Sequence, residues 1–73
     1  MNWSFDDHGR LRASMRSVPG VLIDIVFRTG QDVGFGKTEG TSIREGRVNG
    51  GVLGVLYWPG DPAVVHSVWW VNP

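Results

Sequence analysis

Apolar and polar residues alternate along most of this chain, and glycine or proline interrupts the alternation at short intervals. The clearest stretch runs from Val21 to Arg28. Its odd positions (Val21, Ile23, Ile25, Phe27) are all apolar, its even positions (Leu22, Asp24, Val26, Arg28) are mixed, and Pro19-Gly20 and Gly30 bound it. A period of two between turn residues predicts a β-strand with one face in a core. Trp3 and Phe5 share one face of a shorter strand, and Asp6-Asp7-His8-Gly9 supplies turn chemistry after it. Leu11, Ala13 and Met15 then alternate with Arg10, Arg12, Ser14 and Arg16, which predicts a hairpin. Leu11, Met15 and Val18 also fit spacings of four and seven, so a helix competes there.

Further along, Ser17-Val18-Pro19-Gly20 reads as a turn with Gly20 in the left-handed position of a type II geometry. Residues 30–40 hold four glycines and little apolar content, which predicts a loop with at most a short strand around Val33 to Phe35. Thr41 to Val48 reads as an edge strand, and Asn49-Gly50 as a two-residue hairpin turn. Val52 to Trp58 is apolar on both faces, so the strand is either covered on both sides or turns its second face to a partner chain. Pro59-Gly60-Asp61-Pro62 closes it. In the last strand, Ala63 to Val71, the odd set points inward by parity and leaves His66 and Trp70 outward.

Five or six short strands separated by Gly/Pro turns predict an all-β domain: a small antiparallel barrel or strongly curved sheet of SH3-like size spanning residues 1–73. The alternative is α+β, with residues 8–17 helical on one face of the sheet.

Composition narrows the function classes. Seventy-three residues form one domain with a modest core, and without cysteine there is neither a disulfide framework nor a thiolate zinc site. Stability then rests on packing or on self-association, and a homo-oligomer is an open expectation. Seven basic and seven acidic residues cancel, which weakens the case for nucleic-acid binding through net charge. The N-terminus lacks a basic start followed by an apolar run, and the longest apolar run is far short of the ~20 residues that cross a bilayer. The expected setting is cytoplasmic, with no membrane partner.

Candidate chemistry is sparse. Gly36-Lys37-Thr38 ends like a phosphate-binding loop, but Gln31 occupies the position where that loop requires glycine. His8 and His66 have acidic neighbours without metal-ligand spacing, and Ser67 beside His66 on a strand would point to the opposite face. No catalytic, cofactor or metal residue is assigned, and the expectation is a non-enzyme without cofactors. What remains is recognition. Four Trp and six Arg are residue types rich in binding hot spots. Trp3, Phe5 and Trp69 are assigned to the core, and Trp58, Trp70, His66, Arg12, Arg16 and Arg28 to a protein-binding surface.

Two resemblances add to this reading. Residues 3–11, Trp-Ser-Phe-Asp-Asp-His-Gly-Arg-Leu, resemble a single YD repeat, which implies a hairpin and no function. Pro19-Gly20 before Ile23-Asp24-Ile25-Val26-Phe27-Arg28-Thr29-Gly30, then Tyr57-Trp58-Pro59-Gly60-Asp61 and a Val/aromatic terminal strand, resemble a group of small uncharacterised tailed-phage proteins. Pro62 departs from that pattern, which has an aliphatic residue after Gly-Asp, and Val68-Trp69 stands near the place of a terminal Tyr-Arg pair. The resemblance implies a phage or prophage origin. The expected function is a non-catalytic interaction protein, a phage-encoded inhibitor that binds a larger host defence protein or host enzyme in the host cytoplasm. The alternatives are a nucleic-acid-binding small barrel and a structural virion or oligomeric component.

Overall fold

The stretch from Val21 to Arg28 carries two periodicities at once, and the helical one prevails. Leu22, Ile23, Val26 and Phe27 form one stripe on consecutive turns, and all four are buried. They lie on helix α2 (Gly20–Thr29), whose far side exposes Val21 at 63% and an Asp24–Arg28 ion pair one turn apart. The expected strand is therefore a helix. β-Branched residues lower helix propensity by only tenths of a kcal/mol each, and burial of a full apolar stripe outweighs that. The backbone N–H of Gly30 closes the helix on the carbonyl of Val26 at 2.8 Å.

The expected hairpin over residues 3–16 is replaced as well. Trp3–Phe5 forms the strand β1, and Asp6 then caps helix α1 (Asp7–Met15) by accepting the Gly9 N–H at 2.7 Å. The Asp that reads as turn chemistry is thus a helix start. The connector takes its left-handed residue at Ser17 (φ 54), and Gly20 is the first residue of α2.

The computed structural model describes residues 2–71. Strands β2 (Gln31–Phe35), β3 (Ser42–Val48), β4 (Gly51–Trp58) and β5 (Ala63–Val71) complete an open five-stranded sheet of order β1-β5-β4-β3-β2. Only β1–β5 is parallel. The domain is mixed α/β, not an all-β barrel. The α+β alternative anticipates α1 but not α2. Asn49 (φ 49) and Gly50 (φ 79) turn the β3–β4 hairpin as their sequence predicts. β3 is interior, and β2, exposed at every residue, is the edge.

One face of this sheet makes the core. Leu53, Val55 and Tyr57 of β4 and Ala63, Val65 and Val68 of β5 are buried against the α2 stripe, with Ala13 and Val18. Phe27 meets Tyr57 edge-on at 5.0 Å and packs tilted against Trp3 at 6.2 Å. Arg44 of β3 pins the end of α2, donating from Nε to the Val26 carbonyl at 3.1 Å and pairing with Asp32.

The parity of β5 changes midway. Leu56 pairs with Ser67 and Tyr57 with Val65, so His66 is the extra residue of a β-bulge. Beyond it the even residues Val68 and Trp70 take the helix side, while Ser67, Trp69 and Val71 take the other. Trp69, expected in the core, lies instead over Gly54, where any Cβ would sit 2.5 Å from the indole. With it on that face are Ile43, Val52, Leu56, Trp58 and Val64, half-buried by one another and, at Leu56 and Trp58, by the 36–41 loop, on the side of the sheet away from the α2 stripe.

The two readings of residues 21–28 make opposite demands on Val21. As a core strand, Val21→Ala and Ile23→Ala would both be costly. In the helix, Ile23→Ala removes a fully buried side chain and costs about 2–5 kcal/mol in urea unfolding. Val21→Ala is expected to stay within about 0.5 kcal/mol of wild type.

Candidate functional site

The polar groups of the chain gather mainly where α1 meets the bulge of β5. β1 pairs with β5 only as far as Val65, and beyond that point α1 runs along the free edge of β5. The first contact is a hydrogen bond between His8 Nδ1 and the carbonyl of His66 at 2.6 Å, in which the ring nitrogen must donate. Arg12 Nε lies 3.3 Å from His8 Nε2, so both ring nitrogens of His8 have a partner. The His8 and His66 rings stack at 4.3 Å, and Trp58 meets His66 edge-on at 4.9 Å.

Asp6 ties the group together. One carboxylate oxygen caps α1 through the Gly9 N–H, and the other accepts from His66 Nδ1 at 2.7 Å. Burial raises the pKa of this carboxyl, but hydrogen bonds from His66 and Gly9 and the positive fields of His66 and His8 outweigh burial and hold it below the usual carboxylate value. A second network lies under α2, where the Tyr57 hydroxyl donates to Asp32 Oδ1 at 2.7 Å. Burial, the hydrogen bond to Asp32 and the charge of Asp32 raise the Tyr57 pKa, and Arg44 opposes them.

The six residues assigned to one binding surface occupy three places. Trp58, His66 and Arg12 belong to the Asp6 cluster through His8. Trp58 is wedged rather than presented, because the 36–41 loop covers its other side: Gly36 abuts Leu56, and a side chain at Gly40 would touch the indole. Arg16 and Trp70 meet at the far end of α1, where Trp70 Nε1–H donates to the Arg16 carbonyl at 3.4 Å. Arg28 stands apart on α2 with Asp24.

No family model, curated protein or solved structure matches this chain. The chemistry available is therefore read from the side chains alone. An Asp–His pair with Nδ1 engaged is the arrangement that orients a general base. The bulge brings Ser67 to the same side of the strand as His66, contrary to simple alternation. Among the described residues, however, no hydrogen bond joins Ser67 to His66, and no group of three or more His, Asp or Glu side chains is placed to hold a metal. Gly36-Lys37-Thr38 leads into β3, so no helix N-terminus follows to receive a phosphate. Among the described residues no helix is long and apolar enough to cross a membrane, which says nothing of strand-built membrane structures.

Sequence reading missed the Asp6–His66 pairing, which spans 60 positions. The two-sided apolar pattern of Val52 to Trp58 does signal a second apolar face of β4, and of the two outcomes it allows, no helix covers that face.

Asp6 links stability to pH with a definite sign. Its folded pKa lies below the unfolded one, so its contribution is complete above the ordinary aspartate value of about 3.9 and is lost as pH falls through the folded value. Asp6→Ala is expected to lower stability by about 1 kcal/mol at pH 7 through the lost cap. The deficit should shrink toward pH 3, as read by urea titrations at both pH values.

Proposed function

We propose that this chain is a non-catalytic structural component that assembles with copies of itself through the face of its sheet that no helix covers. The observation that carries this reading is the second face of β4. Leu53, Val55 and Tyr57 are sealed under α2, while on the other side the 36–41 loop lies against Leu56 and Trp58 and leaves Val52 without cover. Ile43, Val64 and Trp69 extend the same face.

A second copy is the occupant that the chemistry of the face favours. Glu45 and Arg47 lie on this face of β3, one strand from the apolar residues. A two-fold contact would set the Arg47 of each copy toward the Glu45 of the other. The chain is electrically neutral and has no cysteine to staple a small core, so burial of this face supplies stability that 73 residues otherwise lack. A stable contact needs about 800 Å² per partner, a small part of the 4551 Å² that the chain exposes.

The phage-inhibitor reading draws on the resemblance of residues 19–30 and 57–61 to tailed-phage proteins, and a self-assembling part of a phage particle agrees with that resemblance equally well. A Trp/Arg docking patch has less support, because Trp58 is wedged under a loop and the six residues assigned to it are split among three places, with Arg28 paired to Asp24. The nucleic-acid reading has less support because seven basic and seven acidic residues cancel.

Val52→Lys places a charge on the bare face without touching the buried side of β4. Light scattering coupled to size exclusion is expected to show an oligomer for the wild type and a smaller species for Val52→Lys. A wild-type chain that stays monomeric at about 100 μM, well above the Kd of an ordinary stable dimer, would overturn the proposal.

A further inference from the structure

The sheet has two edges, and the fold treats them differently. At one, β1 covers the start of β5 and α1 covers the remainder, with His8 satisfying the His66 carbonyl. At the other, β2 runs along β3 with nothing beyond it among the described residues. All five β2 residues are exposed, and two of them are large and apolar: Val33 at 55% and Phe35 at 88%. Phe35 is the most exposed large hydrophobic side chain described. Soluble proteins guard such an edge with lysine, proline, an inward charge, short length or a bulge. β2 is short and carries a bulge at Val33, but it has neither lysine nor proline, and its one ionisable residue, Asp32, is already engaged by Arg44 and Tyr57.

We infer that β2 is a second self-assembly site, at which the β2 strands of two copies pair antiparallel about a two-fold axis through Val33 and join two sheets into one of ten strands. This goes beyond the face-to-face contact and does not rest on it. The one charge of β2 constrains the register. An axis at Val33 sets Asp32 of each copy opposite Gly34 of the other, so no like charges meet, and sets Phe35 opposite Gln31. Shifting the axis to Asp32 would bring the two carboxylates face to face. The two-fold makes the contact isologous, with the same groups contributed by both chains.

The bulge between Asp32 and Gly34 defines what this edge can do. Val33 has no partner residue in β3, so the strand pairs inward only through the residues on either side. A bulge limits edge pairing to a short stretch, which works against continuous stacking of strands. Beside Val33 a groove of about 480 Å³, bordered by Thr29, Glu45, Arg47 and Val52, leaves space at the same edge for the partner's side chains.

The absence of cysteine makes the register directly testable. In the proposed pairing, residue 33 of one chain faces residue 33 of the other at about 4.5–5.5 Å between Cβ atoms, close to disulfide distance. Under mild oxidation, Val33→Cys is expected to form a covalent dimer at least tenfold faster than Thr38→Cys, an exposed control in the neighbouring loop. An equal mixture of Gln31→Cys and Phe35→Cys chains should cross-link to each other in preference to themselves. Val33→Lys combined with Phe35→Lys should remove one step of assembly in light scattering, and because both sites are exposed the fold is expected to survive, as circular dichroism would show. Equal cross-linking rates for Val33→Cys and Thr38→Cys, or an unchanged mass for the double-lysine variant, would overturn the inference. The cross-linking rates read the edge alone; because Val52 lines the groove beside Val33, a smaller mass for Val52→Lys is assigned to the sheet face only where Val33→Cys cross-linking persists in the same background.

Discussion

One packing contact decides the architecture: the Leu22/Ile23/Val26/Phe27 stripe of α2 laid on Leu53, Val55 and Tyr57 of β4. Ile23, Val26, Leu53 and Val55 are all fully sealed there. At roughly 1.5–3 kcal/mol for each large side chain removed from water, this layer is the main favourable term available to a chain of this size. Its cost is that α2 can cover only one face. A second sheet face with nearly as much apolar content then has no helix to cover it, because the remaining helix, α1, lies along an edge.

That edge placement follows from local chemistry. β1 is only three residues long and ends where Asp6 captures the Gly9 N–H, so the chain turns into a helix before β1 can flank the whole of β5. The upper part of β5 would be left with unpaired backbone groups. α1 satisfies one of them through His8, and Asp6 holds the bulged His66 from the other side. The cluster that most resembles a catalytic dyad is accounted for as an edge seal, in which each polar atom closes a gap left by the short first strand.

How much of this is legible in the sequence differs by element. β4 and β5 are, because Asn49-Gly50 and the Pro/Gly turn around residue 60 frame runs with strand composition. Residues 21–28 mislead because four apolar residues at odd positions also supply half of a helical stripe; the Asp24–Arg28 spacing of four is the local feature that favours helix. Trp69 misleads for a different reason. Parity counts are valid only up to a bulge, and nothing local to Val65-His66-Ser67 announces one. The Asp6–His66 contact joins opposite ends of the chain and depends on that same bulge. It is therefore invisible until the register of β4 and β5 is known.

The bulge also explains why an excess of tryptophan does not produce a single binding patch. Without it, Trp69 would point toward α2 and Trp70 toward the bare face. With it, Trp69 lies over Gly54 on the bare face and Trp70 reaches back to the end of α1, so the two indoles are separated by the thickness of the sheet. The aromatic surplus is divided among the Trp3 contact with α2, the Trp58 wedge, the Trp69 platform and the α1 terminus. Apolar surface left over after that division lies on the free edge (Val33, Phe35), on the outer sides of the helices (Leu11, Met15, Val21) and, half-buried, on the sheet face that no helix covers. The sheet face and the free edge are self-complementary kinds of surface, the first by apolar packing and the second by backbone pairing, and that is the physical ground for expecting this chain to meet copies of itself.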